Sequence, residues 1–164
     1  YEIAPDGTIT KFIRIGVGTF ASKTTPPGQQ ENPVKHFYHN DNLGGVNVIT
    51  DGSGTRCQLN EYDPWGSVSR SEGPTPGSPP TCDPTHKFTG KELDPETGLY
   101  YYGGRYYDPE ISRFISPDPF VPDPHNPQSL NRYSYVLNNP QNYIDPSGYS
   151  FWSWIGNFFK KIVG

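Results

Sequence analysis

Apolar and polar residues alternate at period two through much of this chain, in short runs broken by clusters of Gly, Pro, Asn and Asp. That pattern predicts half-buried β-strands joined by tight turns. The first run, Thr8 to Phe20 (TITKFIRIGVGTF), follows a Pro-Asp-Gly turn at Pro5 to Gly7 and predicts one or two strands. Gly16 and Gly18 form an isolated Gly-x-Gly with no helix-forming run behind it, which points to a bulge or bend and away from a phosphate loop. Polar residues and the adjacent Pro26 and Pro27 predict a loop over residues 21–33. Val34 to Gly66 reads as a β-meander, with strands at Val34 to His39, Val46 to Thr50 and Thr55 to Tyr62 separated by DNLGG and DGSG. Asp51-Gly52 is a strong hairpin signal.

The pattern tightens from Phe88 to Phe120 (FTGKELDPETGLYYYGGRYYDPEISRFISPDPF), where three Asp-Pro pairs, a Gly-Gly pair and five tyrosines fall close together. Pro fixes φ and removes a donor, and Gly supplies the positive φ of tight reversals, so neither a helix nor a long strand fits. Short strands are predicted at Leu99 to Tyr102, Arg105 to Tyr107 and Arg113 to Ile115. Glu72 to Pro84 and Val121 to Gln128 are Pro-rich and predict exposed loops; Ser129 to Tyr135 predicts a short helical turn or a strand. Past Gly148 the periodicity changes. Phe151, Trp152, Trp154, Ile155, Phe158, Phe159, Ile162 and Val163 make one apolar face behind the candidate N-cap Ser150, with Lys160 and Lys161 at the far end. The expectation is an amphipathic C-terminal helix that docks on protein or lies on a membrane surface.

Composition changes this picture in one respect. Only 32% of residues are hydrophobic, against 18 Gly and 19 Pro, which alone would suggest disorder; twelve Tyr and nine Phe supply the missing burial. The fold class expected is therefore mainly β, a turn-rich antiparallel hairpin meander held by aromatic ladders, with a short C-terminal helix. Starting at Tyr1 and lacking Met, the sequence reads as a fragment or processed product, with any export signal outside it. No apolar run is long enough to span a bilayer. A net charge of -4 without a basic block argues against nucleic acid as a partner.

Candidate chemistry is sparse. His36 and His39 are three apart in a predicted strand and face opposite sides, so they make no metal pair. Cys57 and Cys82 lack metal-site spacing and are too few for a disulfide framework, which favours two free thiols over a bridge. No metal or cofactor is expected. Seven Asp-Pro pairs remain, at Asp63, Asp83, Asp94, Asp108, Asp118, Asp123 and Asp145, and each can be a turn in which Asp bonds its own backbone.

Taken in order, HFYHNDNLGGVNVITDGSGTRCQLNEYDPWG, then RYYDP, SRFISPDP, NRYSYVLNNP and IDPSG, the chain resembles the C-terminal part of Rhs (YD-repeat) proteins over roughly Val34 to Gly148. The later pieces resemble their Rhs repeat-associated core domain. This family includes the C components of insecticidal Tc toxins, polymorphic bacterial toxins and the related teneurins. The resemblance implies a spiral of β-hairpins that in the toxins closes into a shell around a variable C-terminal effector. It implies three segments: upstream repeat-like strands over 1–33, the core region over 34–148, and the start of a variable tail over 149–164.

It also implies an intramolecular aspartyl protease built on two Asp-Pro motifs. Carried onto this chain, the pair is Asp118 in SPDPF and Asp145 in IDPSG, and the cut falls in the region of Gly148, Tyr149 and Ser150. Two carboxylates held close cannot both ionise cheaply, so one keeps a proton while the other activates water. Arg113, shortly before Asp118, is the candidate supporting cation. Implied partners are the upstream shell strands of the same protein, a C-terminal effector and a secretion-apparatus component, in a secreted or surface-associated bacterial protein.

Two alternatives stand beside this reading. The family motif usually reads Asp-Pro-x-Gly-Leu, whereas here the two sites read DPFVP and DPSGY; the first departure favours a non-catalytic structural or adhesive module. The tail from Phe151 to Gly164 alternatively makes the chain the carrier of a membrane-active peptide.

Overall fold

The seven strands of the first half pair only with their neighbours in sequence: β1 (Glu2–Ile3), β2 (Ile9–Ile15), β3 (Gly18–Thr25), β4 (Val34–Asn40), β5 (Val46–Asp51), β6 (Arg56–Tyr62) and β7 (Val68–Glu72) form one antiparallel meander. The computed structural model describes residues 1–15, 18–29, 33–82, 84–121 and 124–149. The expected helix from Phe151 to Gly164 and its cap Ser150 lie outside the described residues, as do Asp83 and Asp123.

One turn recurs through the meander. Asp41, Asp51 and Asp63 each accept on Oδ1 from backbone N–H groups two and four residues ahead. A glycine three residues after each (Gly44, Gly54, Gly66) takes φ of 84–98°, a left-handed conformation that a β-carbon would disfavour. The Asp-x-x-Gly spacing thus sets each reversal locally, and the hairpins follow.

Two strand boundaries differ from expectation. Residues 21–25 continue β3 because they pair on both sides, Ala21 with Ile13 and Phe37 and Thr24 with Thr10 and Val34. Backbone pairing outweighs their polarity, and the Thr10 and Thr24 hydroxyls meet at 3.1 Å. The mostly exposed β7 forms by pairing with β6, where Arg70 reaches Glu61 at 3.2 Å and Glu72 at 2.9 Å.

The meander's core is Tyr38, Val46, Ile49 and Cys57, with Cys82 packed against it. Cys57 and Cys82 are joined as a disulfide, Cα to Cα 5.8 Å, which corrects the expectation of free thiols. The reason is a bulge: Ile49 opposes Gln58 but Thr50 opposes Arg56, leaving Cys57 as the additional residue. Thr81 N–H donates to the Cys57 carbonyl at 3.1 Å and brings Cys82 alongside. Closing a separation of 25 residues restrains the unfolded chain. Replacing both cysteines by serine is expected to cost about 3 kcal/mol, read as a lower urea midpoint with a steeper slope, since the freed unfolded chain exposes more surface.

Among the described residues, 63–67 with those from 91 to 149 form a second unit, distinct from those of 1–62 with 68–90. Its sheet is also a meander of neighbours: β8 (Glu92–Leu93), β9 (Tyr100–Tyr101), β10 (Tyr106–Asp108) and β11 (Arg113–Phe114). Alternation sorts the tyrosines. Tyr100, Tyr102, Tyr107 and Phe114 are buried, whereas Tyr101 and Tyr106 are exposed and face each other across β9 and β10 at 5.1 Å. The rings of Tyr102, Tyr107, Phe114 and Tyr135 all contact one another, with centroids 4.7–5.9 Å apart and mostly edge-to-face. Their hydroxyls are satisfied: Tyr102 donates to Tyr135, Tyr107 to the Trp65 carbonyl and Tyr100 to the Gly66 carbonyl. The segment 129–135 contributes Tyr135 after a 3₁₀ turn at Pro127–Leu130, capped by the Asn126 side chain.

Candidate functional site

All five described Asp-Pro pairs make the same local turn, in which one carboxylate oxygen accepts the N–H two residues on: Asp63 from Trp65, Asp94 from Glu96, Asp108 from Glu110, Asp118 from Phe120 and Asp145 from Ser147. Burial separates them. Asp118 is 5% exposed and Asp145 2%, the two aspartates of the buried set.

What their other oxygens meet is Arg105. Its Nη2 lies 3.1 Å from Asp118 Oδ2 and 3.5 Å from Asp145 Oδ2, so one guanidinium nitrogen contacts an oxygen of each carboxyl. Oδ1 of each makes the turn and Oδ2 of each faces the cation. The remaining guanidinium groups are also used. Nη1 donates to the Arg132 carbonyl at 3.1 Å, Nε donates to the Gly148 carbonyl, and the carbon centre stacks 3.6 Å above the Phe114 ring. Arg132 fixes Asp118 in turn, since the Asp118 N–H donates to the Arg132 carbonyl and Arg132 Nε donates to the Asp118 carbonyl.

Lys91 adds a second cation, its Nζ donating to the Pro146 carbonyl at 2.6 Å and lying 5.1 Å from the Tyr102 ring centroid. With cations already between and beside the carboxyls, this donor set does not suit a metal ion.

Burial dominates the electrostatics. It pushes the Asp145 pKa up, more strongly than the Ser147 and Gly148 N–H groups, Arg105 and Lys91 pull it down. Burial likewise pushes the Arg105 guanidinium down, against the pull of Asp118 and then Asp145. A carboxyl whose folded pKa is raised binds its proton more tightly folded than unfolded. Its contribution is therefore fully present below the unfolded pKa and lost as pH rises through the folded one. Asp145→Asn removes this loss while keeping the turn acceptor. The variant is expected to melt at or above the wild-type temperature at neutral pH, and the wild type should regain ground on acidification, as followed by thermal melts across pH.

The expected supporting cation, Arg113, is not at this site. It lies exposed on β11 opposite Asp108, its strand neighbour Phe114 pointing into the core instead. Arg105 takes that position because it is two residues before buried Tyr107 and shares its inward face. Strand parity was the available signal: Arg105 reads inward and Arg113 outward once Tyr107 and Phe114 are taken as core.

The cleavage-region residues lie beside the same cation. Gly148 adopts φ 72° and packs so closely that an added Cβ would meet Tyr102 Cβ at 2.9 Å and Arg105 N at 3.0 Å, so only glycine fits. Tyr149 lays its ring over Gly104, where a Cβ would sit 2.5 Å from the ring. Ser150 lies outside the described residues.

The profile of the Teneurin YD-shell family matches residues 27–141. The tRNA3(Ser)-specific nuclease WapA of Bacillus spizizenii is 35% identical over 156 residues, covering 94% of this chain and 6% of that protein. Toxin subunit YenC1 of Yersinia entomophaga is 33% identical, covering 82% of this chain and 13% of its own length. The chain therefore spans only a small part of these relatives. Among solved structures, the crystal structure of TcdB2-TccC3-TEV superposes with a TM-score of 0.70 at 28% identity, over 86% of this chain and 7% of that one. By the family match over most of its length and these identities, the chain belongs to the Teneurin YD-shell family, whose relatives here include bacterial toxin proteins.

Proposed function

We propose that this chain is the closing segment of a YD-repeat shell, and that Asp118 and Asp145 are the carboxyl pair of an intramolecular aspartyl protease that cuts beside Tyr149. One observation carries the reading: two buried aspartates from separate segments turn one oxygen each to the same nitrogen of Arg105, and the Nε of Arg105 holds the carbonyl of Gly148. In this scheme Asp118 takes a proton from water as the water oxygen bonds to the scissile carbonyl carbon. Asp145, whose protonated form burial favours, then gives its proton to the leaving nitrogen as the C–N bond breaks. Arg105 holds the segment in place and balances the one remaining negative charge.

The partners of this reading are the upstream shell strands, a C-terminal effector released by the cut, and a component of a secretion apparatus. The Cys57–Cys82 disulfide supports an oxidising, extracellular location. Among the described residues no helix is long and apolar enough to cross a membrane. The experiment is intact mass of the purified chain. Wild type should appear cut beside Tyr149, and Asp118→Asn or Asp145→Asn should appear whole; an uncut wild type removes the protease. In that event the buried ion cluster is a structural clamp, the reading that the DPFVP motif favours.

Gly104 offers a finer test. In Gly104→Ala the new Cβ displaces the Tyr149 ring, a side chain free to move, so the fold should survive while the scissile segment shifts. Misplacement on the ångström scale is expected to slow cutting by about 10²-fold, measured as the rate at which the shorter mass accumulates.

A further inference from the structure

The seven-stranded unit brings three metal-ligating side chains together. His36 on β4, Cys57 on β6 and Cys82 beyond β7 place a ring nitrogen and two sulfurs all within 4.8 Å of one another. The disulfide accounts for the two sulfurs and leaves the imidazole beside them unexplained. His36 is half-buried, and burial holds its pKa below the usual histidine value against the opposing charge of Asp51, which favours the neutral ring that ligates metals. A cavity of about 240 Å³ adjoins the group, lined by His36 and Cys82 together with Glu2, Tyr38, Thr81 and Thr85.

We propose that, when the Cys57–Cys82 bond is reduced, the two thiolates and His36 hold one Zn²⁺ ion, so that cross-link and metal are alternative occupants of one site. The ligands of a tetrahedral zinc ion stand roughly 3.5–4 Å apart, given Zn–S and Zn–N bonds of about 2.3 and 2.0 Å. The imidazole nitrogen lies within 4.8 Å of both sulfurs, and the sulfurs, joined in the disulfide, are free to part toward that spacing on reduction. The exchange balances. A dithiol reductant supplies two electrons and two protons to the S–S bond and becomes a disulfide itself; Zn²⁺ then displaces the two thiol protons to solvent. Three protein ligands leave the fourth corner to water from the cavity. Metal would thereby keep Cys82 tied to β6 in reducing surroundings, where the disulfide is lost.

The test uses the whole chain, reduced with a phosphine and titrated anaerobically with Co²⁺ and then Zn²⁺, in wild type, His36→Ala and His39→Ala. Expected are one Co²⁺ per chain with the intense visible bands of a tetrahedral thiolate site, bleached by one equivalent of Zn²⁺, and thiols protected from alkylation in the zinc-loaded wild type. His36→Ala should weaken binding by about tenfold or more, and His39→Ala should match wild type. In an unfolded chain the two histidines would be equivalent ligands. Equal loss in both variants, unchanged binding in His36→Ala, or the absence of tetrahedral bands overturns the proposal.

Discussion

Arg105→Ala is expected to lose about 3–5 kcal/mol of folding stability at neutral pH, because it leaves two buried carboxyls with their shared cation gone. The side chain also stacks on Phe114 and donates to the Gly148 and Arg132 carbonyls, so its removal opens the loop that carries Tyr149 as well as the ion cluster. The electrostatic part has a signature that lost packing lacks. Without Arg105 the buried carboxyls hold protons more tightly folded than unfolded, so the deficit is fully expressed at neutral pH and shrinks on acidification. Urea unfolding at about pH 7 and about pH 5 reads this directly. Adding Asp118→Asn and Asp145→Asn to Arg105→Met should recover most of the loss, since a neutral cluster of similar volume carries no desolvated charge. A deficit that stays the same across pH would show that stacking, and not charge, is what Arg105 contributes.

Local pattern carries far in this fold and stops at identifiable places. Alternation alone separates Tyr100, Tyr102 and Tyr107 from Tyr101 and Tyr106, and the Asp-x-x-Gly spacing alone sets the reversals at Asp41, Asp51 and Asp63. It fails where a third element decides. Residues 21–25 look like a loop until β2 and β4 flank them, and Cys57 pairs with Cys82 only because a bulge makes it the additional residue of β6. The aspartates show the limit most clearly. Asp94 and Asp118 make the same turn with the same atoms, one half-buried and one buried, and the turn itself does not tell them apart. Singling out Asp118 and Asp145 needed the family resemblance, which reports on long-range placement that propensity does not contain. Arg105 needed neither. Its parity with Tyr107 places it on the inward face, whereas Arg113, nearer to Asp118 along the chain, alternates outward from Phe114.

Asp118→Asn and Asp145→Asn are expected to abolish the cut beside Tyr149, each slowing it by about 10²–10⁴-fold through the loss of one proton-transfer role. Both substitutions keep the shape and the Oδ1 acceptor on which the turns depend, Phe120 N–H for the first and Ser147 and Gly148 N–H for the second. Folding should survive them, which separates this test from Arg105→Ala. Because the two carboxyls act as one unit, the double variant should be hardly slower than either single one, whereas independent contributions would multiply. The pH profile tests the shared proton. Cutting requires one carboxyl of the pair protonated, and burial of Asp145 extends that condition upward from the ordinary carboxyl range; the rate should then fall as pH rises through the raised pKa of Asp145. Both assignments of acid and base need the same singly protonated pair, so the limb reports the pair and not one member of it. A rate that stays level or climbs over that interval, measured on the wild-type chain by intact mass against time, would remove the requirement for a protonated carboxyl.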